Sequence, residues 1–332
     1  MRGLPPPAIA ALLAALVLAA CAGRSGARDD TAPDSDRLPP GDHEIGLVHD
    51  GLERSYLVHV PDAAGPLPVV LAFHGGGGNA RQFRETSGFD ALANRHGFVS
   101  VHPNGTGGIA GRLLTWNAGG CCGPAMDGDV DDVGFVLALV EDLAGRLPID
   151  RGRLYATGHS NGAMMAYRLG AEAASTFAAI APVAGAMSLE EFHPTEPLSV
   201  LHIHSIDDPR ALYDGGVGPP FPGTNRRSRH EPVEAGIERW VEHDGCPAEP
   251  RVAGSLTGDP LGADAGQTVT RLVYGPCREG VQVGLLRLEG VGHGWPGERL
   301  TLRRERTLGP STTLIDAAEE VWAFVSGFSR MP

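Results

Sequence analysis

The stretch RLYATGHSNGAMMAYRL, residues 153–169, constrains this chain more than any other. RLYATG reads as a short buried strand, and NGAMMAYRL has the apolar spacing of a helix. They meet at Gly158-His159-Ser160-Asn161-Gly162, a G-x-S-x-G sequence. Such a pentapeptide is common by chance, and a serine in a small-residue turn is the plain alternative. Between a strand and a helix it gains meaning. The flanking glycines allow a sharp turn that lifts the serine side chain clear of the backbone. The helix N-terminus behind it favours developing negative charge. Ser160 is therefore the candidate nucleophile.

The rest of the chain supports that context. LPVVLAFHGGGGN, residues 67–79, is a continuous apolar run that stops at a glycine cluster, as a buried parallel strand would. RSYLVHVP, FVSVHPNG, FAAIAPVAG, LSVLHIHS, VTRLVYG and VQVGLLRLEG read as further strands. Helical spacing recurs in QFRETSGFDALANRHG, DDVGFVLALVEDLAGRL, EPVEAGIERWVEHDG and TLIDAAEEVWAFVSGF. Asp131 or Asp132 is the expected N-cap of the second of these. Strands and helices alternating in this way predict an α/β fold, a mostly parallel central sheet with helices on both faces. One catalytic domain over residues 43–330 is the economical reading.

A serine hydroxyl needs a base in contact and an acid that orients the base. Where an elbow carries such a serine, the acid and then the histidine follow on loops after later strands. SVLHIHSIDDPRALYDGG offers Asp207 and Asp208 after a strand, and Asp208, farther past the strand end, is preferred. His202 and His204 precede the acid and are expected to pack or bond within the loop. LLRLEGVGHGWPG delivers His293 in a glycine-rich loop. His159 is expected to point away from the serine, and His230 and His243 to be solvated. For the oxyanion, Asn161 supplies one N–H, and Gly76 or its neighbour Gly75 supplies another. HGGGGN is no phosphate loop, because no G-K-[ST] follows. DGDVDD, residues 127–132, fails as a calcium loop: its sixth position is Asp132 and its twelfth Ala138. A helix cap and loop hydrogen bonds are its expected uses. Trp116 and Trp295 are candidates for the substrate pocket, with core packing the alternative for each. This chemistry requires neither a metal nor an organic cofactor.

Charge excludes one class of partner. Lys plus Arg is 27 against 40 Asp plus Glu, a net of −13, with no basic run, so nucleic acid is not expected. The N-terminus reads as an export signal over residues 1–20: Arg2, then the apolar run AIAALLAALVLAA, too short to span a bilayer comfortably. Leu18-Ala19-Ala20-Cys21 resembles a bacterial lipobox, in which Cys21 is lipidated and starts the mature chain. Contact with the membrane is then expected only through that anchor, with residues 21–42 as a flexible tether. The chain is expected to be an envelope lipoprotein or a secreted protein. Of five cysteines, Cys121, Cys122, Cys246 and Cys277 remain for an oxidising compartment. Adjacent Cα atoms about 3.8 Å apart make a Cys121–Cys122 bridge look strained. Cys246–Cys277, which would staple two predicted elements, is the favoured pair.

LAFHGGGGN, WNAGGCCG with DDVGF after it, ATGHSNGAMMAYRL, HIHSIDDP and GVGHGWPG together resemble the polyhydroxybutyrate depolymerase-like esterases. These are related to the feruloyl and acetyl xylan esterases of carbohydrate esterase family 1. The likeness runs from about residue 45 to 328. It implies an α/β-hydrolase fold and carries the catalytic triad onto Ser160, Asp208 and His293. The contexts of Cys246 and Cys277, HDGC and YGPC, also match the family's. Two features depart from it: His204-Ser205-Ile206-Asp207-Asp208 stands where H-G-T-x-D is usual, and Gly294 where a hydroxyl residue often follows the histidine. No separate polymer-binding module follows, so crystalline polyester is not the expected substrate. Three functions are weighed: an esterase for feruloyl, acetyl or other short acyl esters; a depolymerase of poly(3-hydroxybutyrate) or its oligomers; and a non-catalytic envelope binding protein.

Overall fold

Apolar runs without alternation build the middle of the sheet. In the computed structural model, which describes residues 37–108, 111, 113–221 and 225–330, β3 (Leu67–Phe73) is buried along its whole length. The proposed signal segment, Cys21 and most of the tether lie outside the described residues. In chain order, β1 (Gly41–His49) and β2 (Leu52–Val60) precede β3. Next come α1 (Ala80–Ser87), α2 (Phe89–His96), β4 (Val99–Pro103), α3 (Gly123–Asp127) and α4 (Asp132–Arg146). β5 (Ile149–His159), α5 (Asn161–Glu172), β6 (Ala179–Val183) and β7 (Ser199–Ser205) follow. The short β8 (Gly216–Val217) and β9 (Arg229–His230) pair with each other. The chain ends with α6 (Val233–His243), β10 (Arg251–Thr257), β11 (Thr268–Tyr274), β12 (Val283–Glu289), α7 (Leu302–Leu308) and α8 (Ala317–Val325).

The sheet has ten strands in the order β1-β2-β4-β3-β5-β6-β7-β12-β11-β10. From β4 to β12 neighbours run parallel, and both margins are antiparallel. Strand alternation splits β3 between two cores. Val69, Leu71 and Phe73 join one with Phe135, Leu139, Met165, Leu169 and Trp240 of α4, α5 and α6. Val70 and Ala72 join the other with Phe83, Phe89, Leu92, Val321 and Val325 of α1, α2 and α8. Each fully buried large side chain contributes about 1.5–3 kcal/mol relative to exposure. Among the described residues no helix is long and apolar enough to cross a membrane.

The chain leaves β3 for β4 on one side and returns to β5 on the other. β3 and β5 therefore flank the point where strand order reverses, and a crevice opens there at the strands' C-terminal ends. HGGGG follows β3 and the serine turn follows β5, so topology alone brings them together.

Three details differ from the sequence reading. Residues 41 and 42 belong to β1, paired with Val60 and His59, rather than to the tether. β1 and β10 were not anticipated as strands; both are margins whose residues are largely open to water, so they lack an apolar run. QFRETSGFDALANRHG is two helices, broken at Gly88 with φ 82°, a left-handed conformation favoured by glycine.

Candidate active site

The turn after β5 is held open by its small residues. Ser160 has φ 57° and ψ −118°, a region costly for any residue with a Cβ, by roughly 1–3 kcal/mol. A Cβ at Gly158 would collide with the Gly162 backbone, and one at Gly162 with the Phe73 carbonyl. β3, β5 and α5 approach this closely only because both positions are glycine. The Ser160 N–H donates to the Val183 carbonyl of β6 (2.9 Å), and its carbonyl accepts from Met164 N–H (3.1 Å). These bonds fix a strained turn with its hydroxyl facing the crevice.

Ser160, His293 and Asp208 form one hydrogen-bonded line. His293 Nε2 lies 2.9 Å from Ser160 Oγ, and its Nδ1 lies 2.7 Å from Asp208 Oδ2. His293 comes from the loop after β12 and Asp208 from the loop after β7. Asp207 lies elsewhere: its Oδ2 accepts from Gly290 N–H (2.7 Å). Asp208 is buried, with Oδ1 accepting from the N–H groups of Arg210 (2.7 Å) and Ala211 (2.8 Å). Burial disfavours its charge, but the His293 charge and hydrogen bonds from His204 and His293 outweigh it. The carboxyl is held well below the usual carboxylate range.

Other buried groups align this line. His159 Nε2 donates to the His293 carbonyl (3.0 Å), so it points away from the hydroxyl yet fixes the loop that bears the base. Burial, reinforced by His293, lowers the His159 pKa to about 3 and keeps the ring a neutral donor. The Asn161 side chain clasps Trp116, accepting from its N–H (2.7 Å) and donating to its carbonyl (3.0 Å). Trp116 Nε1 donates to the His74 carbonyl (3.0 Å), and His74 Nδ1 to the Gly75 carbonyl (2.8 Å). His74 Nε2 accepts from Gly105 N–H (3.0 Å), which settles its tautomer, and burial lowers its pKa to about 4. The glycine loop and the residue after Ser160 are thereby locked to one loop. Gly77 N–H is taken by Leu114 and Gly78 N–H by Gly75. Gly75 and Gly76 remain beside the serine turn, and Asn161 N–H heads α5 with no intrahelical carbonyl before it.

A cleft of about 540 Å³ opens over Ser160, lined by Phe83 and Trp295 and by the charged Glu85, Glu298 and Arg304. A smaller space of about 130 Å³ adjoins Ser160 and His293, bounded by Asn161, Met164, Phe221 and His230. Trp295 thus faces the cleft, edge-on to Phe83 at 5.1 Å. Trp116 does not: it is fully buried under the glycine loop, because its indole N–H finds its partner there. His230 is buried rather than solvated, and His243 is half-buried against Asp244 (2.7 Å). Cys246 and Cys277 are bonded, joining the end of α6 to the β11–β12 connection. Cys121 and Cys122 lie side by side across a cis peptide bond, with their Cα atoms 3.1 Å apart. In the DGDVDD segment, Asp131 caps α4 by accepting from Gly134 N–H (2.8 Å), and buried Asp132 pairs with Arg54 (2.6 Å).

A serine on a strand–helix elbow at the C-terminal edge of a mostly parallel sheet, with carboxylate and histidine on later loops, defines an α/β-hydrolase. The model of the family described as esterase PHB depolymerase matches residues 54–235. Relatives agree. "Putative esterase NocK" of Nocardia uniformis subsp. tsuyamanensis is 30% identical over 81% of this chain and 80% of its own length. Feruloyl esterase B of Piromyces equi is 27% identical over 68% of this chain, which spans only 39% of that longer protein. Among solved structures, acetyl xylan esterase from Aspergillus awamori shares the fold at 14% identity, with a TM-score of 0.50 over 85% of this chain and 99% of that one. The chain belongs to the esterase PHB depolymerase family and is a carboxylic ester hydrolase.

Proposed function

We propose that the chain is an exported, lipid-anchored serine esterase that cleaves feruloyl, acetyl or other short acyl esters through an acyl-enzyme. The observation that carries this reading is the Ser160–His293–Asp208 hydrogen-bonded line. Ser160 Oγ attacks the ester carbonyl while His293 Nε2 takes its proton. The N–H groups of Asn161 and Gly76, with Gly75 beside it, receive the oxyanion. His293 then returns the proton to the departing alcohol. Water, deprotonated by the same imidazole, releases the acid. Asp208 holds His293 with Nδ1–H toward it and stabilises the imidazolium. Purified protein is expected to hydrolyse p-nitrophenyl acetate or butyrate. Ser160→Ala should lower kcat by ~10³-fold or more, and equal rates would sink the reading.

The substrate class rests on the resemblance and on relatives named for feruloyl and acetylxylan ester cleavage. The family's name keeps hydroxybutyrate oligomers as the second reading. Comparing kcat/KM on methyl ferulate, acetylated xylan and hydroxybutyrate oligomers decides between them. Export and anchoring rest on residues 1–21. Cys21→Ser should release the protein from membranes, and continued membrane association counts against the anchor.

A further inference from the structure

Asp208 is the end of a longer buried line that the serine mechanism does not use. His204 Nε2 lies 3.3 Å from Asp208 Oδ2 and 2.8 Å from the Ala211 carbonyl, and both side chains of the His204–Asp208 pair are wholly buried. His204 Nδ1 is 2.9 Å from His202 Nε2, and His202 Nδ1 is 3.0 Å from the Tyr167 hydroxyl. The order thus runs Tyr167 on α5, His202 and His204 on β7, then Asp208, His293 and Ser160.

The proton positions along this line follow from chemistry. A backbone carbonyl only accepts, so His204 Nε2 carries hydrogen toward Ala211 and Asp208. In a neutral ring its Nδ1 is then a lone pair, which must accept from His202 Nε2–H. The His202 Nδ1 is in turn a lone pair and accepts the Tyr167 O–H. Burial holds His202 far below the usual imidazole range, so it stays neutral, and burial pushes the Tyr167 hydroxyl up. All donation points one way, toward Asp208. Asp208 then receives Arg210 and Ala211 N–H on Oδ1 and His293 on Oδ2, with His204 Nε2 3.3 Å from Oδ2. Other groups facing this line are Tyr213, edge-on to His204 at 5.8 Å with its hydroxyl on Glu234, and the charges or potential charges of Arg210 and His230. His159 adjoins His293 from the serine turn.

We propose that Tyr167, His202 and His204 are positioning residues that hold the His204 Nε2–H, bonded to the Ala211 carbonyl, 3.3 Å from Oδ2 of the triad carboxylate, setting the orientation of that carboxylate and its share of negative charge. The proposal rests on the triad reading above. The His204 N–H dipole offsets charge on Oδ2, the oxygen that His293 also uses. Without it, the carboxylate attracts a proton on the imidazole more strongly. The three remaining donors still keep Asp208 ionised, so this attraction governs the outcome.

The test is the acid limb of the pH dependence of kcat/KM, which reports the essential base of the free enzyme. An asparagine at 204 keeps an acceptor near the Nδ1 position but is too short to reach Asp208, whereas a glutamine places an N–H near Nε2. With p-nitrophenyl acetate, His204→Asn should lower kcat roughly tenfold with KM within about twofold. Its acid limb should move up by about half a pH unit. His204→Gln should restore the wild-type limb. Tyr167→Phe, which removes a single hydroxyl far from substrate, should shift the limb the same way by a smaller amount. It serves as the reading if His204→Asn does not fold. Limbs that coincide in folded His204→Asn and wild type, or that move alike in the asparagine and glutamine variants, overturn the proposal. With only Tyr167→Phe readable, an unmoved limb overturns it. Absence of Ser160-dependent hydrolysis in the wild type instead overturns the esterase reading on which it stands.

Discussion

The two halves of the candidate site are made rigid by different means. Around Ser160 the backbone does the holding: β3, β5 and α5 meet at glycines, and the Asn161 amide clasps both polar groups of the Trp116 backbone. Around Asp208 and His293 the holding is done by side chains: His159 from the end of β5, His204 from β7 and the Asp208 carboxylate itself. The first half is sensitive to volume, because an added atom has nowhere to go. The second is sensitive to charge and hydrogen count, because removing one partner leaves a buried polar group unmatched.

Substitutions can break that contrast, beginning with the largest effect. Gly162→Ala places a methyl against the Phe73 carbonyl. It should cost about 3 kcal/mol or more, read as a fall in soluble yield and melting temperature, with activity lost as well. Asp208→Asn is nearly isosteric, so at neutral pH it should lower melting less than Gly162→Ala does, while lowering kcat about 10³–10⁴-fold. If the glycine variant melts normally or the asparagine variant unfolds, the division between the halves fails. Asn161→Ala keeps its own N–H but strands the Trp116 backbone groups, with an expected loss of about 1–3 kcal/mol and roughly a tenfold slower turnover.

Acid should probe both halves together. His74 and His159 are lowered from 6.5 to about 4 and about 3, chiefly by burial. His102, on β4, is lowered to about 4 for the same reason. The unfolded chain takes up these protons near pH 6.5, and the folded chain only near pH 3–4. Their contribution to stability is therefore full above the ordinary value and falls as pH drops toward the folded values. Asp208, held low, adds a loss at still lower pH. Melting temperature should decline steadily below pH 6.5, and His102→Gln should flatten part of the slope without changing hydrolysis. A flat profile would contradict the neutral buried imidazoles. The smallest effect on catalysis is expected at the Cys246–Cys277 staple: replacing both by alanine should lower melting by several degrees and leave kcat/KM within about twofold.

The legible parts of this molecule were those with a periodic or an ordered signal. β3, β6, β7 and the Leu154–Gly158 part of β5 are buried on both faces, so their apolar runs announced them. Ser160, Asp208 and His293 follow a chain order dictated by the topology of a parallel sheet, and the structure brings those three together. The marginal strands β1 and β10 were not legible, since one neighbour and a wet surface impose no apolar pattern. Trp116 stood between pocket wall and core in the sequence, because the partner that decides it, the His74 carbonyl, is 42 residues away. His204 stood in a quoted motif, yet its contact with Asp208 depends on the turn between them. The spacing of two histidines on one strand was the available signal, placing both on the same face.

β3 has a consequence for how such a site changes over generations. Its alternate side chains enter different cores, and it runs directly into the HGGGG loop. Pressure from α4, α5 or α6 on one face and from α1, α2 or α8 on the other is therefore felt by the same few glycines. Selection for altered rate should return substitutions from both layers of the molecule, far from any atom that meets the ester. The central strand is where two otherwise separate neighbourhoods share one outlet.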